Sequence, residues 1–250
     1  MKKLPTTFCL PIIFILLSSG CAVGPHSHDP LESVNRKVDA FNTAVDSAVI
    51  KPIAKGYRSY VPSFVRTGVR NFFRNLGVLN TAVNDTLQLK YKRAPVDLAR
   101  FVTNVVLGIG GVFDPATKLG IPYYQEDFGQ TLGYWGVPSG PYLVLPFFGP
   151  STIRDGLSKP VDFSTDPIYF VNEDDVRWKL IGLQAVDTRS NLFETEQVVN
   201  DAAIDKYSFI RDTWLQRREF QIHDGNLPRD GNSNSGVKSL RELELEDFPE

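Results

Sequence analysis

Histidines are the first candidates for chemistry in this 250-residue sequence, and there are three of them, His26, His28 and His223. Catalytic and metal-binding histidines recur at fixed spacings with carboxylates or thiols, as in H-E-x-x-H. None of the three stands in such a pattern, and all lie near the ends of the expected folded region. The sequence also lacks the G-x-S-x-G elbow of serine hydrolases. These absences predict that the protein is not an enzyme and binds no metal.

A glycine-rich stretch, VVLGIGGVF, offers the next candidate, a loop that binds a dinucleotide cofactor. Gly108 and Gly110 match the first two glycines of G-x-G-x-x-G, but Phe113 stands in place of the third, and no strand is expected before the loop. We therefore predict no cofactor. Gly108, Gly110 and Gly111 instead favour a close approach of two backbones or a hinge.

Two groups of charged residues remain. The acidic run 173–175 is consistent with a cation site, but acids in a first helical turn are also favoured by the helix dipole. Asp127, Arg154 and Asp155 are consistent either with a polar site or with structural salt bridges. Neither group forms a catalytic constellation by its spacing.

Cys21 has the clearest chemical signature. Two lysines and the apolar run Phe8–Leu17 precede it, a pattern typical of a secretory signal and too short to span a bilayer. The small residues before Cys21 resemble a bacterial lipobox, although Ser18 occupies a position where leucine is commonest. In a lipobox the thiol is alkylated with diacylglycerol and the chain is cleaved before the cysteine. The alternative is an ordinary signal peptide with a chance cysteine. Ala22 favours the outer membrane as the destination.

Charge is distributed unevenly along the chain. Residues 21–120 carry 13 basic and 7 acidic side chains, whereas residues 121–223 carry 9 basic and 15 acidic ones. A nucleic-acid-binding protein would present a basic contact surface, so we predict no nucleic-acid partner. The basic half suits either an anionic membrane surface or intramolecular pairing with the acidic half.

Most of the chain has the hydrophobic period of amphipathic helices, so we expect a mainly α fold. Asp29-Pro30 predicts a helix start before an apolar stripe that continues to Val49. Further helices are predicted after Pro62, from Pro95 through Ile109, and over Ser151–Lys159 with Ser151 as its cap. Two longer ones are expected at about 173–190 and 201–222.

The helix after Pro62 carries Arg66, Arg70 and Arg74 on one face, beside an apolar stripe. Such a helix is typical of one that lies among lipid headgroups, and the three arginines are candidates for headgroup contact. A core helix with a solvated arginine face is the alternative. Residues 224–250 are acidic and polar, and we expect them to form a disordered tail.

Four segments of the sequence resemble the VacJ/MlaA lipoproteins of Gram-negative bacteria. They are DPLESVNRKVDAFN (29–42), LGIGGVFDPA (107–116), EDFGQTLGYWGVPSGPYLVLPFFGPSTIRD (126–155) and LQRREF (215–220). The resemblance spans residues 29–223 and divides the chain into a signal peptide (1–20), a lipidated linker (21–28), the helical domain and the tail.

The resemblance implies a ring-like helical bundle with Gly/Pro-rich irregular segments, lying in the inner leaflet of the outer membrane and anchored there on its periplasmic face. Its central amphipathic channel would remove mislocalised phospholipids from the outer leaflet and pass them to a soluble MlaC-like periplasmic carrier. A trimeric porin is the second expected partner. A porin-associated structural lipoprotein without transport activity is the alternative function, and an envelope hydrolase with an unrecognised site is a weaker one.

The apolar run Tyr142–Phe148, fenced by Gly-Pro pairs, fits a segment of channel wall, because irregular backbone at membrane depth must pack on protein or line a wet cavity. A plain buried strand is the alternative. We expect this run, the glycine-rich stretch and the loop 120–128 to lie near the channel or the lipid. The candidate residues are Gly108, Gly110, Gly111, Phe113, Tyr142, Leu143, Phe147 and Phe148.

Overall fold

A computed structural model describes residues 29–226, and this part of the chain is mainly helical. Cys21, the signal peptide and most of the tail lie outside the described residues. The elements in chain order are α1 (Glu32–Val45), a π-helical turn (Asp46–Ile50), α2 (Lys51–Tyr60), α3 (Ser63–Leu87), α4 (Ala94–Val106), α5 (Pro115–Lys118), α6 (Phe128–Tyr134), β1 (Tyr142–Leu145), β2 (Gly149–Thr152), α7 (Ile153–Thr165), a 3₁₀ turn (Pro167–Phe170), α8 (Asp174–Asn191), α9 (Phe193–Ala202) and α10 (Lys206–Ile222).

The first helix begins later than the sequence predicted. Asp29 was expected to cap it, but α1 starts at Glu32 and has no side-chain cap. The Asp29 carboxylate instead accepts hydrogen bonds from Asn35 Nδ2 at 2.8 Å and from the Tyr207 hydroxyl at 2.5 Å. These contacts dock the start of the fold onto α10, so tertiary partners outcompete the local cap.

Helices α3 and α4 pack against each other, and the apolar face of α4 points outward. Along α4 the predicted apolar face is mostly exposed, Val106 and Leu98 included, whereas Asp97, Arg100 and Asn104 are buried. The helix also ends at Val106 rather than Ile109, because the glycine-rich stretch takes over there. Polar residues thus face inward and hydrophobic ones outward, the reverse of a water-soluble bundle.

The same inversion holds across residues 29–226. Polar and charged side chains outnumber hydrophobic ones among the buried residues, while many large hydrophobic side chains are exposed. Exposed apolar surface of this extent marks contact with lipid or protein. No helix of this region is long and apolar enough to cross a bilayer.

The run Tyr142–Phe148 divides into a strand and a turn. β1 pairs antiparallel with β2, and its alternate residues Tyr142 and Val144 are buried. Phe147 lies in the turn with φ of 66°, and its side chain is exposed together with that of Phe148. The buried-strand alternative is therefore confirmed for Tyr142–Leu145, and a channel-wall role for the exposed turn stays a prediction.

Two later helices differ from their predicted bounds. Thr152, not Ser151, caps α7 by accepting a hydrogen bond from the Asp155 backbone N–H, and α7 continues to Thr165. The predicted helix 201–222 is split. Its first residues end α9, and a break follows, because the Asp205 side chain caps a new helix at the Tyr207 backbone N–H.

Ion pairs connect the basic and acidic halves of the chain, which confirms the intramolecular alternative for these residues. They join Arg36 to Asp205, Lys51 to Glu196 and Arg58 to Glu194 at 2.5 to 2.7 Å. Asp224 accepts from Lys90 and Arg93 at 2.7 and 2.6 Å. The folded contacts therefore extend into the first residue of the segment that was assigned to the tail.

Candidate functional site

The described residues line three neighbouring cavities. The apolar chamber has a volume of about 620 Å³, the middle chamber about 380 Å³ and the polar chamber about 330 Å³. The apolar and middle chambers share Gln184 and Thr188 of α8 and Leu192 just after it, and the middle and polar chambers share Gly77, Tyr123 and Gln125. The name passage is used below for the three neighbouring chambers together.

The apolar chamber is walled by aromatic rings at the strand hairpin and α7. The rings of Phe148 and Phe163 lie 5.6 Å apart between centroids, and those of Phe163 and Tyr169 lie 5.3 Å apart. Phe147 packs edge-on against Phe41 of α1 at 5.5 Å. This end of the passage offers mainly hydrocarbon surface, with polar side chains such as Asn42, Asp166 and Arg189 among the rings.

The hairpin turn that carries Phe147 is held by one amide of α1. Asn42 Oδ1 accepts a hydrogen bond from the Phe147 backbone N–H at 2.8 Å, and Asn42 Nδ2 donates to the Leu145 carbonyl at 2.9 Å. Asn35 performs the same double task three residues earlier, where it accepts from the Val144 N–H and donates to the Tyr142 carbonyl. Both amides satisfy strand groups that no neighbouring strand pairs.

The middle chamber is the cationic part of the passage. Arg70 donates to Asn191 Oδ1 at 2.8 Å and to the Thr67 hydroxyl at 3.3 Å, and Arg74 stacks 4.3 Å above the ring of Tyr123. Neither guanidinium has a carboxylate within 4.0 Å in the described part of the chain. Both side chains line the middle chamber.

Within residues 29–226, Arg66, Arg70, Arg74 and Arg217 are the arginines without a carboxylate partner, and the others are ion-paired. Three of these four line the passage: Arg70 and Arg74 the middle chamber, and Arg217 the polar chamber. Uncompensated guanidiniums are ready-made partners for phosphate, which they bind through parallel hydrogen bonds.

The wall of the polar chamber includes an arginine clamp, formed by Arg218, Asp127 and Asp155, of which Arg218 and Asp127 line the chamber. Arg218 donates to both oxygens of Asp127 at 2.6 Å and to both oxygens of Asp155 at 2.9 and 3.0 Å. Burial favours a higher pKa for the Asp127 carboxyl, but the hydrogen bonds and charge of Arg218 outweigh it and lower that pKa below its ordinary value. Asp127 also caps α6 at the Gln130 backbone N–H.

The clamp requires a glycine at position 129. A Cβ at this position would lie 2.4 Å from both Arg218 Nη2 and Asp155 Oδ1. Only glycine lets α6 approach the two charged groups so closely. Asp127, Gly129, Asp155 and Arg218 come from the EDFG, STIRD and LQRREF segments, which the fold therefore brings together in one contact.

Residues 27–221 match the family described as "MlaA: MlaA lipoprotein". The chain belongs to the MlaA lipoprotein family. It is 33% identical over 218 residues to the "Intermembrane phospholipid transport system lipoprotein MlaA" of Escherichia coli K12, with 83% of each chain covered. The protein of the same description from Haemophilus influenzae is 34% identical over 207 residues, covering 80% of this chain and 81% of the relative.

The fold comparison agrees with the sequence comparison. A solved structure described as "Structural basis for maintenance of bacterial outer membrane lipid asymmetry" superposes with a TM-score of 0.68 at 30% identity. The match covers 78% of this chain and 98% of that one. The predicted mainly α fold and the resemblance to this family are thereby confirmed.

The structure places four of the predicted MlaA site residues on the passage. Phe147 and Phe148 line the apolar chamber with 70% and 57% of their surface exposed, and Arg70 and Arg74 line the middle chamber. Tyr123 and Gln125, from the loop 120–128 that was expected near a channel, lie at the join between two chambers.

The other predicted residues lie elsewhere. Tyr142 is 1% exposed and packs on Tyr207 and Trp214 in the core, so it contacts neither the passage nor lipid, and Leu143 beside it is half-buried. Arg66 donates to the Val61 carbonyl and lines none of the three chambers. Phe113 borders a separate apolar groove.

The glycine-rich stretch is a tight turn, and it is not part of the passage. A Cβ at Gly108 would lie 2.4 Å from two carbonyl oxygens, and one at Gly111 would meet the Asn75 side chain at 2.8 Å. Gly110 has a φ of 66° and is exposed. Close backbone approach, rather than hinge motion, is what these contacts require.

Several residues that line the passage were not among the predicted site residues. Gln184, Thr188 and Asn191 recur at helical spacing along one face of α8, and that polar face was the available signal. Arg217 stood inside the quoted LQRREF segment. No group of three or more histidine, cysteine, aspartate or glutamate residues within 29–226 has the arrangement of a metal site.

Proposed function

We propose that this MlaA lipoprotein removes mislocalised phospholipids from the outer leaflet of the outer membrane and passes them inward through its passage, thereby maintaining lipid asymmetry. The supporting observation is the order of chemistry along the passage. Aromatic surface at one end suits acyl chains, and the uncompensated Arg70, Arg74 and Arg217 suit a phosphate. A phospholipid carries both groups in one molecule.

Transport of this kind needs binding and release, and none of its steps involves covalent chemistry. Hydrogen bonds from Arg70 and Arg74 replace part of the water around the phosphate, which lowers the cost of moving a charged headgroup through protein. Release requires that no single contact be too strong. Two arginines held by neutral partners and spaced one helical turn apart meet that requirement.

The proposed position is the inner leaflet of the outer membrane, with Cys21 as the lipid anchor on the periplasmic side. The outward apolar face of α4 supports contact with acyl chains. A soluble MlaC-like carrier in the periplasm would receive the lipid, and a trimeric porin would hold the protein in place. The resemblance to the family supports both partners.

Outer-leaflet phospholipid in cells that lack the gene tests this proposal. Surface phospholipid should accumulate in the deletion strain, the wild-type gene should clear it, and a Cys21→Ala variant should not. Unchanged surface lipid on deletion, in a strain with redundant systems removed, would contradict transport.

A porin-associated structural role is the second candidate, because the exposed apolar surface also suits a protein partner. The Phe147→Asp, Phe148→Asp double variant separates the two functions. Transport predicts that charge in the apolar chamber prevents lipid clearance while porin capture continues. A structural role predicts clearance and capture that change together or not at all.

A further inference from the structure

An apolar groove of about 400 Å³ lies on the outer side of α3, against α8. We call it the outer groove, and its wall includes Val65, Val69, Phe72, Leu180 and Leu183. Its volume falls within the range of small-molecule binding sites, and its surface offers almost no hydrogen-bonding group. It is separate from the three chambers of the passage.

One aromatic ring separates the outer groove from the middle chamber. Phe73 lines both cavities and is 8% exposed. Its neighbours on α8 divide accordingly, since Leu180 and Leu183 face the groove while Gln184 faces the passage. The seam between α3 and α8 is thus apolar on one side and polar on the other.

On the polar side of this seam, Arg70 has no carboxylate within 4.0 Å among the described residues. Arg70 precedes Phe73 on α3 and donates across the seam to Asn191. The Asp187 carboxylate in the same chamber accepts from the Tyr57 hydroxyl at 3.1 Å and from Asn191 at 3.1 Å, rather than from an arginine. Asn191 therefore lies between Arg70 and the Asp187 carboxylate, and no carboxylate occupies the hydrogen-bond donors of Arg70.

We propose that the outer groove is an acyl-chain subsite for a phospholipid whose phosphate is bound by Arg70 on the other side of Phe73. This inference deepens the proposed function and rests on it. An apolar chain in the groove and an anion in the middle chamber require the Phe73 ring to turn aside. The lipid would then enter the passage sideways, through the α3–α8 seam.

The test uses the full-length lipoprotein in detergent with phosphatidylethanolamine that carries a photoreactive group on one acyl chain. Crosslinks are expected on the α3 segment 65–72 and on Leu180 or Leu183. Arg70→Ala should reduce these groove crosslinks about tenfold, as for the loss of a charge-assisted hydrogen bond. Arg66→Ala, one turn away on the same helix and outside the passage, is the matched control and should leave them unchanged.

A second pair of variants tests the groove itself. Val69→Trp fills it and should abolish the crosslinks, whereas Val83→Trp, at an exposed position of the same helix, should not. Val65→Trp, at a more exposed position of the groove, replaces Val69→Trp if circular dichroism finds that variant unfolded. Fold is compared by thermal unfolding in each case.

Three outcomes would overturn the inference. Groove crosslinks that are insensitive to Arg70→Ala would mean annular lipid only. Crosslinks confined to the passage would mean an unused groove. Loss of porin capture by Val69→Trp, with lipid crosslinks unchanged, would make the groove a protein interface. The subsite also fails separately from transport, because a Val69→Trp variant that fully clears surface phospholipid in a deletion strain that accumulates it refutes the subsite alone.

Discussion

The arginine clamp and the middle chamber use the same side chain in opposite ways. Arg218 is enclosed by two carboxylates and saturated with hydrogen bonds, whereas Arg70 and Arg74 contact only neutral groups. A buried charge is tolerated only when it is paired, so the clamp is structural. An unpaired charge on a cavity wall stays hydrated until an anion replaces the water. Pairing, rather than residue type or burial, therefore distinguishes structural arginines from those available to a ligand.

The largest effect that this comparison predicts is on stability. Arg218→Ala leaves the half-buried Asp127 without a cation, whereas Asp155 keeps Arg154 at 3.0 Å, and it should lower the free energy of unfolding by about 3 kcal/mol. Urea unfolding of the purified protein in detergent measures it. Arg217→Ala, at the adjacent position without an ion pair, is the control and should change stability by no more than about 0.5 kcal/mol. Equal losses of unfolding free energy for both variants would show that the ion pairs of Arg218 add nothing to stability.

A second prediction concerns buried charge of the opposite sign. Asp85 and Asp97 are almost fully buried against each other on α3 and α4, and three of their four oxygens have no hydrogen-bond donor among the described residues. Burial, together with the hydrogen bond to Asp85 and its charge, raises the pKa of Asp97 to about 8. A proton shared by the two carboxyl groups satisfies oxygens that are otherwise orphaned.

The folded state therefore holds this proton more tightly than the unfolded chain, in which an aspartate has its ordinary pKa. The contribution of this pair to stability is complete below about pH 4 and falls as the pH rises from about 4 through about 8. Between roughly pH 6 and pH 7 the loss should reach up to about 1.4 kcal/mol, and Asp97→Asn should flatten the profile. The charged groups that act on the pair are Lys90, Arg93, Glu126 and Asp224. A profile that is identical in the wild type and the variant would disprove the shared proton.

The smallest expected effect on stability is at an exposed ion pair. Lys179 and Asp175 form an ion pair at 3.9 Å on an exposed turn of α8. Asp175→Asn should change the free energy of unfolding by less than about 0.5 kcal/mol, because water and salt screen an exposed pair. A loss comparable to that of Arg218→Ala would show that pairing alone, without burial, stabilises this fold.

The sequence predicts the helices well where their periodicity is long, as in α3, because apolar spacing is a local property. It does not predict which face turns inward. The apolar stripe of α4 faces outward, since Asp97, Arg100 and Asn104 find polar partners only after α3 and α5 have packed. Tyr142 and Phe147 belong to one apolar run, yet strand pairing buries the first and a turn exposes the second.

The passage was predictable only in part for the same reason. Arg70 and Phe148 were identified from local patterns. Gln184 and Arg217 meet them through tertiary packing, which brings α8 and α10 against α3 and the hairpin. Likewise the clamp joins three distant segments, and only the structure distinguishes its paired arginine from the unpaired neighbour.

We expect the uncompensated arginines of the middle chamber to bind lipid phosphate. The most direct measurement is outer-leaflet phospholipid in a deletion strain complemented with the Arg70→Ala, Arg74→Ala double variant, at a membrane level and unfolding temperature equal to the wild type. The account predicts that surface phospholipid stays as high as in the deletion strain. Clearance at the wild-type level by this folded, lipidated variant would contradict it.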